Sequence, residues 1–414
     1  MKVLYVVGAN LSRNTSANIS HNAYIQGLLE NVCEVDILMS SSSWGEKDDG
    51  LPIWKEAKYY TYNSVSLVDR LKLFIKKFFF NNSSDKEIFE IKSSSDIKLI
   101  ESKINIKKKI RNFVKKSYEL FFNSSHIYFL DRTWLKNASK FKEIEPYDLI
   151  ISNSSPASSH RLVLDLLNKN RITKTRWVQI WEDPWFFDIY GNHDEKVKRE
   201  EHRLLKAAKE IFYVSNLTLY YQKNHFPDCA HKMKHIPLPY LKIEEEKKSE
   251  KIDRITFGYF GDYYSKTRNL QPFYNAILEC DCAAFINGDS DIFLGSTDSV
   301  LVKPRVTLDK LKELNDRTDV LVHLCNLSGG QIPGKIYHYS ASTKPILFIL
   351  DGTTFEKQII KDYFIKFDRY QFCENNKEDI IKSINALKNY KIGFDKKPVM
   401  DFSPKNVIAK ILRV

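Results

Sequence analysis

No stretch of this 414-residue chain approaches the roughly 20 apolar residues that a membrane-spanning helix needs. Its opening, MKVLYVVGAN, turns polar too soon for a secretory signal and reads as a buried strand followed by a turn. The expected location is therefore the cytoplasm. The six cysteines, Cys33, Cys229, Cys280, Cys282, Cys325 and Cys373, form no CxxC pair and no Cys/His zinc spacing, which argues against a disulfide framework or a structural metal. No short-period repeat is present, so a solenoid is excluded. Zinc-finger and RNA-recognition signatures are missing too, as is a basic strand interleaved with aromatics, and nucleic acid is not expected as a partner.

What the chain does have is length, ordinary polarity and excess positive charge. Its 414 residues can build two or three domains, and 43% hydrophobic with 28% charged residues is the balance of a globular protein. The formal charge of +12 favours acidic partners such as phosphates or anionic lipid. It is unevenly spread: between Ser66 and Phe122 there are 14 Lys/Arg against 7 Asp/Glu.

Short apolar runs alternate with helical patterns along most of the chain, the signature of parallel α/β sheets. In the first half the runs are Lys2–Val7, Glu34–Met39, Leu149–Ser152, Trp177–Ile180, Ile211–Val214 and His235–Ile236. A Ser-rich, basic stretch from about 41 to 145 interrupts them. After Pro237-Leu238-Pro239 and a charge run, the alternation restarts at Ile255–Tyr259 and continues at Ala283–Ile286, Val320–Leu324 and Ile346–Leu350. The expected organisation is thus a first α/β domain at 1–240, a linker at 241–253 and a second α/β domain at 254–414. Open parallel sheets bind ligands beyond the carboxyl ends of their strands, so two facing sheets can hold two substrates between them.

The segment from Leu327 to Leu347, LSGGQIPGKIYHYSASTKPIL, carries the clearest chemistry. A strand ends, Gly329 and Gly330 permit unusual backbone angles, and Pro333 stands where a helix would begin near Lys335. Free N–H groups at such a start, with the Lys335 ammonium, favour a phosphate. An ordinary strand-turn-helix junction reads much the same way.

Taken whole, this segment resembles the second-domain signature of retaining GT-B glycosyltransferases of the family 4 type, in their bacterial surface-polysaccharide branch. Pro333, Lys335, Tyr339 and Lys344-Pro345 match that pattern. The resemblance implies two Rossmann-like domains facing a cleft, a nucleoside-diphosphate sugar as co-substrate with no cofactor or metal, and a lipid-linked or saccharide acceptor. It also implies that Gly329, Gly330 and Gln331 lie against the donor diphosphate. Where the family carries two glutamates seven residues apart, this chain has Gly330 and His338; His338 would then meet the donor ribose in place of a carboxylate.

Other segments extend the resemblance. ITFGYFGDYYSKTRN (255–269) is similar to the first strand and loop of the second domain, which implies donor contacts at Gly261, Lys266 and Arg268, with Arg268 and Lys335 stabilising the departing phosphates. WVQIWEDPW (177–185) resembles a strand ending in Arg-Asp-Pro-Trp, with Glu182 in place of the Arg. Asp183 there either orients an acceptor hydroxyl or caps the turn. In LIISNSSPASSH (149–160), His160 is either a sugar contact or a satisfied helix-start histidine. Asp289 and Asp291 have a spacing that other glycosyltransferases use for a metal, but they sit apart from the proposed phosphate loop. Loss of both glutamates leaves a second possibility, a catalytically silent GT-B partner subunit.

The basic insertion has its own pattern. Leu67, Val68, Leu71, Phe74, Ile75 and Phe78 fall on one helical face among lysines, and Ile106, Ile110, Phe113, Val114 and Phe121 repeat the arrangement. Such stripes pack on a sheet or lie on an anionic membrane, and the latter would hold the protein at the inner face of the cytoplasmic membrane. Each cation near that surface contributes ~1 kcal/mol. Lys76→Glu with Lys115→Glu is expected to reduce co-sedimentation with anionic vesicles at low salt. Wild-type protein that ignores such vesicles would show that the stripes face protein instead.

Overall fold

A computed structural model describes residues 1–42, 45–64, 127–189, 191, 193–243, 254–388 and 397–413. Both basic stripes of the insertion, and the linker from 244 to 253, lie outside them. The strands are β1 (Lys2–Val7), β2 (Arg13–Asn14), β3 (Glu34–Ser40), β4 (Glu46–Lys47), β5 (Lys58–Tyr62), β6 (Leu149–Ser154), β7 (Arg176–Trp181), β8 (Glu210–Tyr213) and β9 (Met233–His235) in the first half. The second half has β10 (Thr256–Phe260), β11 (Ala283–Asn287), β12 (Val300–Lys303), β13 (Val320–Leu324), β14 (Ile346–Leu350) and β15 (Tyr370–Glu374). The helices in chain order are α1 (Ser16–Glu30), α2 (Arg132–Ala138), α3 (Ser158–Asn168), α4 (Glu195–Ala207), α5 (Asn216–His225), α6 (Gln271–Glu279), α7 (Leu308–Asp316), α8 (Lys335–Tyr339), α9 (Thr354–Phe364), α10 (Lys377–Lys388) and α11 (Pro404–Leu412).

Thirteen of these strands make two parallel sheets, and β2 and β4 form a separate antiparallel pair. The first has seven, ordered β5-β3-β1-β6-β7-β8-β9, and the second has six, ordered β12-β11-β10-β13-β14-β15. The central strands are buried on both faces, which is why they read as continuous apolar runs: Val3–Val7, Ile346–Ile349 and their neighbours are almost without exposed surface. In each sheet the strand order reverses once, between β1 and β6 and between β10 and β13. At such a switch point the flanking connections leave to opposite faces and open a crevice at the carboxyl edge.

Local signals set the helix ends. Thr15 caps α1 by accepting from the Asn18 N–H at 3.1 Å, so this helix begins five residues before the apolar pattern that announces it at His21. Thr353 and Glu356 form a reciprocal capping box at the start of α9. Among the described residues no helix is long and apolar enough to cross a membrane.

The end of the described chain returns to its beginning. Helix α11 crosses from the second half to pack along α1, and Asn31 donates to the Lys405 carbonyl at 3.0 Å, 374 residues away. Gly27 lies at the crossing, where a Cβ would run into the Pro404 carbonyl and the Ile408 side chain. Gly27→Ala should therefore lower the thermal midpoint, because ~1–3 kcal/mol of overpacking outweighs the ~0.5–1 kcal/mol that alanine gains in a helix. A midpoint unchanged or raised would mean that α11 shifts away at no cost.

Candidate functional site

The second sheet brings cations to its switch point. Gly261 directly follows β10 and donates its N–H to the Asn287 carbonyl at 2.9 Å. A Cβ at Gly261 would stand 3.8 Å from Lys335 Nζ, so the ammonium lies over this bare stretch of backbone. No hydrogen bond or ion pair holds it among the described residues. Lys335 keeps solvent contact yet is ringed by protein, and that crowding, with Arg268 and Arg305 nearby against the opposing pull of Asp262, pushes its pKa down to about 8. Arg268 reaches the Tyr259 hydroxyl. Arg305 forks onto Asp262, with Nε at 2.9 Å, and approaches Asp289 at 3.4 Å.

Three cations and two carboxylates, Asp262 and Asp289, thus crowd the carboxyl ends of β10 and β11. Mutual repulsion among fixed cations marks a place suited to an anion. Arg305 was not visible as part of this group in the sequence, since it follows an edge strand and no motif flags it. Lys266 is exposed on the loop outside the cluster. Of the Asp289/Asp291 pair, Asp289 joins the cluster through Arg305, while Asp291 accepts the Ser265 N–H and hydroxyl at 2.7 and 2.8 Å.

The glycine segment before Lys335 takes a different part from the expected one. Gly329 has φ +92° and sits so close to Ile189 that a Cβ would clash with that side chain; one at Gly330 would press on Tyr221. The Thr218 hydroxyl donates to the Gly330 carbonyl at 2.5 Å. Gln331 donates from Nε2 to Asp183 Oδ1 at 2.6 Å and accepts the Ile189 N–H at 2.9 Å. These three residues are joined to the first half of the molecule, and the Gln331 side chain is committed there. Helix α8 is only five residues long, so its dipole adds little, and the Lys335 side chain becomes the main attraction for an anion.

His338 shares α8 with Lys335. Its ring has no hydrogen-bond partner among the described residues, and burial together with the Lys335 charge lowers its pKa to about 4. The ring is therefore neutral, and able to accept a hydroxyl proton, throughout the physiological range.

On the first-half side, Asp183 follows β7 and faces Gln331. Crowding by both halves pushes its carboxyl up to about 6, with Asp188 adding to the shift and the Gln331 amide opposing it. Glu201, fully buried on α4, fastens the loop from below by accepting the Trp185 and Phe186 N–H groups at 3.2 and 2.8 Å. His160 takes the second of its two expected roles, that of a satisfied helix-start histidine. It has no exposed surface, bonds Ser152 Oγ through Nδ1 at 2.7 Å and packs on Trp181 with ring centroids 4.2 Å apart. It is a core histidine, held neutral by burial at about 3, and does not reach the cleft. A cavity of about 630 Å³ beside Tyr240, Met400 and Lys405 lies behind the α1–α11 seam, remote from these groups.

Solved structures share this architecture. A UDP-GlcNAc 2-epimerase from Methanocaldococcus jannaschii aligns over 100% of both chains with a TM-score of 0.50 at 10% identity. A protein from Anabaena solved in complex with UDP-glucose covers 99% of this chain and 95% of its own, at TM-score 0.49 and 11% identity. A glycosyltransferase from Rickettsia africae covers 99% and 93%, at 0.48 and 13%. In sequence, no family model and no curated protein matches the chain. The likeness establishes the fold: two Rossmann-like parallel sheets in the GT-B arrangement.

The cation cluster makes a pH-dependent expectation. A phosphate held here would need the ammonium form of Lys335, so affinity for a nucleoside diphosphate should hold below about pH 8 and weaken above it. The limit is roughly tenfold per pH unit until the bound form also titrates. Lys335→Ala should bind more weakly at pH 7 and lose this limb. Isothermal titration of both proteins between pH 6.5 and 9.5 measures it, and identical pH profiles would remove Lys335 from the site.

Proposed function

We propose that the chain is a glycosyltransferase that moves a sugar from a nucleoside-diphosphate donor to a saccharide or lipid-linked acceptor. The observation that carries this reading is the convergence of Lys335, Arg268 and Arg305 at the switch point of the second sheet, with Asp183 on the opposite side of the cleft. As the bond to the sugar breaks, negative charge grows on the leaving diphosphate. Cations that tighten on that charge lower the barrier, whereas equal binding of donor and transition state would not. His338 would accept a ribose hydroxyl, Gly261 leaves room for the phosphates, and Asp183 would orient the acceptor.

The resemblance in sequence supports the finer reading: transfer with retention and without a bound metal, in the assembly of bacterial capsule, O-antigen or exopolysaccharide at the inner face of the cytoplasmic membrane. Lys266, outside the cluster, would contact the donor only if its loop closes inward.

Thermal stabilisation against UDP, GDP, ADP, CDP and dTDP tests the donor site. One of them at 100 times its dissociation constant should add about 2.7 kcal/mol. The matching nucleotide sugars should then release nucleoside diphosphate, faster with a saccharide acceptor present. If none of the five stabilises the protein, the reading fails. Conversion of the nucleotide sugar into an isomer, with no transfer, would assign the site to a different nucleotide-sugar reaction.

A further inference from the structure

At the switch point of the first sheet, polar groups gather that the reading above does not use. Asn153, on β6, donates from Nδ2 to the Tyr5 hydroxyl oxygen at 2.9 Å. The Tyr5 hydroxyl, on β1, therefore turns its own proton to His21 Nδ1 on α1, at 3.1 Å. That leaves the ring proton of His21 on Nε2, facing the Ser155 carbonyl at 3.4 Å. The chain fixes His21 as neutral, in agreement with burial lowering its pKa to about 4.

Glu182, just past β7, ends beside this chain without joining it. Its Oε1 is 3.9 Å from His21 Nδ1, an atom that already accepts a proton and has none to offer. Oε1 is buried with no hydrogen-bond partner. Asn153 Oδ1 and the Tyr24 hydroxyl are buried and unpartnered in the same neighbourhood. The Glu182 side chain keeps 11% of its surface accessible, and the next residue, Asp183, reaches Gln331 across the cleft. Buried polar groups without partners are few in folded proteins, and each raises the question of what satisfies it. Here they stand together at the carboxyl edge of three adjacent strands, where an open parallel sheet takes its ligand.

We propose that this floor, with Glu182 at its centre, is a subsite for a hydroxyl group of the second substrate, and that Glu182 selects substrates presenting that hydroxyl. The inference rests on the glycosyltransferase reading for the identity of that substrate as a saccharide. No Lys or Arg pairs with Glu182 among the described residues. The groups facing it are His21, Tyr5, Tyr24 and Asp183, none of them a cation at neutral pH. Burial and Asp183 raise its pKa well above the ordinary value, which favours the neutral carboxyl. A neutral carboxyl both donates and accepts, which matches a hydroxyl; an ammonium ligand would instead need the carboxylate.

Three variants of the full chain test this: Glu182→Gln, Glu182→Leu and Tyr24→Phe. In the absence of ligand the first two should melt at or above the wild-type temperature, because they remove an unpartnered buried acid. A fall of more than about 5 °C in both would make Glu182 a structural residue and overturn the proposal. Binding of the methyl glycosides of glucose, galactose, mannose and N-acetylglucosamine is then measured by titration calorimetry, with and without the stabilising nucleoside diphosphate. At least one should bind wild type. Glu182→Leu should weaken it at least tenfold, Tyr24→Phe by less, and Glu182→Gln by no more than about twofold. Nucleoside-diphosphate affinity should be the same in all. No glycoside binding to wild type overturns the subsite while leaving the donor site standing. Equal losses in Gln and Leu variants overturn the neutral-hydroxyl assignment. Glycoside binding with no nucleotide binding supports the subsite and defeats the glycosyltransferase reading.

Discussion

One amide side chain ties the two halves of the site together. Gln331 gives its N–H to Asp183 and takes the N–H of Ile189, so a loop of the second sheet is bonded to the loop that follows β7 of the first. Thr218 and Tyr221 on α5 add two more links, to the Gly330 carbonyl and to the Glu356 carboxylate at 3.1 Å. Everything else in the cleft takes its position from this seam. Lys335 follows Gln331 by four residues, and Glu182 precedes Asp183 by one. The bridge thus fixes how far the cation cluster stands from the unpartnered carboxyl opposite it. Glutamine suits the task because it donates and accepts at once; a glutamate there would set two carboxylates against each other.

The electrostatics divide along the same line. The second sheet presents three cations around two carboxylates, Asp262 and Asp289, while the first presents Glu182, Asp183 and Asp188, with the nearby histidines held neutral by burial. A ligand with a negative end and a hydroxylated end would find each end met by suitable groups. Crowding lowers the pKa of the ammonium on one side and raises those of the carboxyls on the other, so each group carries its charge less firmly than it would in water. Such groups respond to a bound partner more than fully hydrated ones do.

Much of the fold was legible beforehand, and the exceptions share a cause. Val320–Leu324 and Ile346–Leu350 are strands with the bounds read from their apolar runs, because neighbours cover them on both sides. Lys58–Tyr62, Val300–Lys303 and Tyr370–Glu374 passed unnoticed, and all three are edge strands, paired on one side and partly exposed. In the cation cluster, Lys335 and Arg268 lie in segments that a motif singles out, whereas Arg305 reaches them only through tertiary folding. His160 stayed ambiguous for a related reason: a histidine at a helix start looks the same in sequence whether it turns to the cleft or, as here, to Ser152 and Trp181. Glu182 stood out only as a departure from a pattern. Its isolation could not be seen before its neighbours were placed.

The packing of α11 on α1 has a consequence for the order in which the molecule can be made. Helix α1 is synthesised well before its cover, since Pro404, which meets Gly27, follows it by 377 residues. At 5–20 residues per second, that wait is on the order of 20–75 s. Through it, one face of the first sheet's helical layer stays uncovered while the second sheet is still being synthesised. Strands β1 and β3 can pair early, yet the α1 face stays open until α11 is released, after every strand of the second sheet has been made. For a nascent chain this long, that interval is when exposed apolar surface must be shielded from other chains.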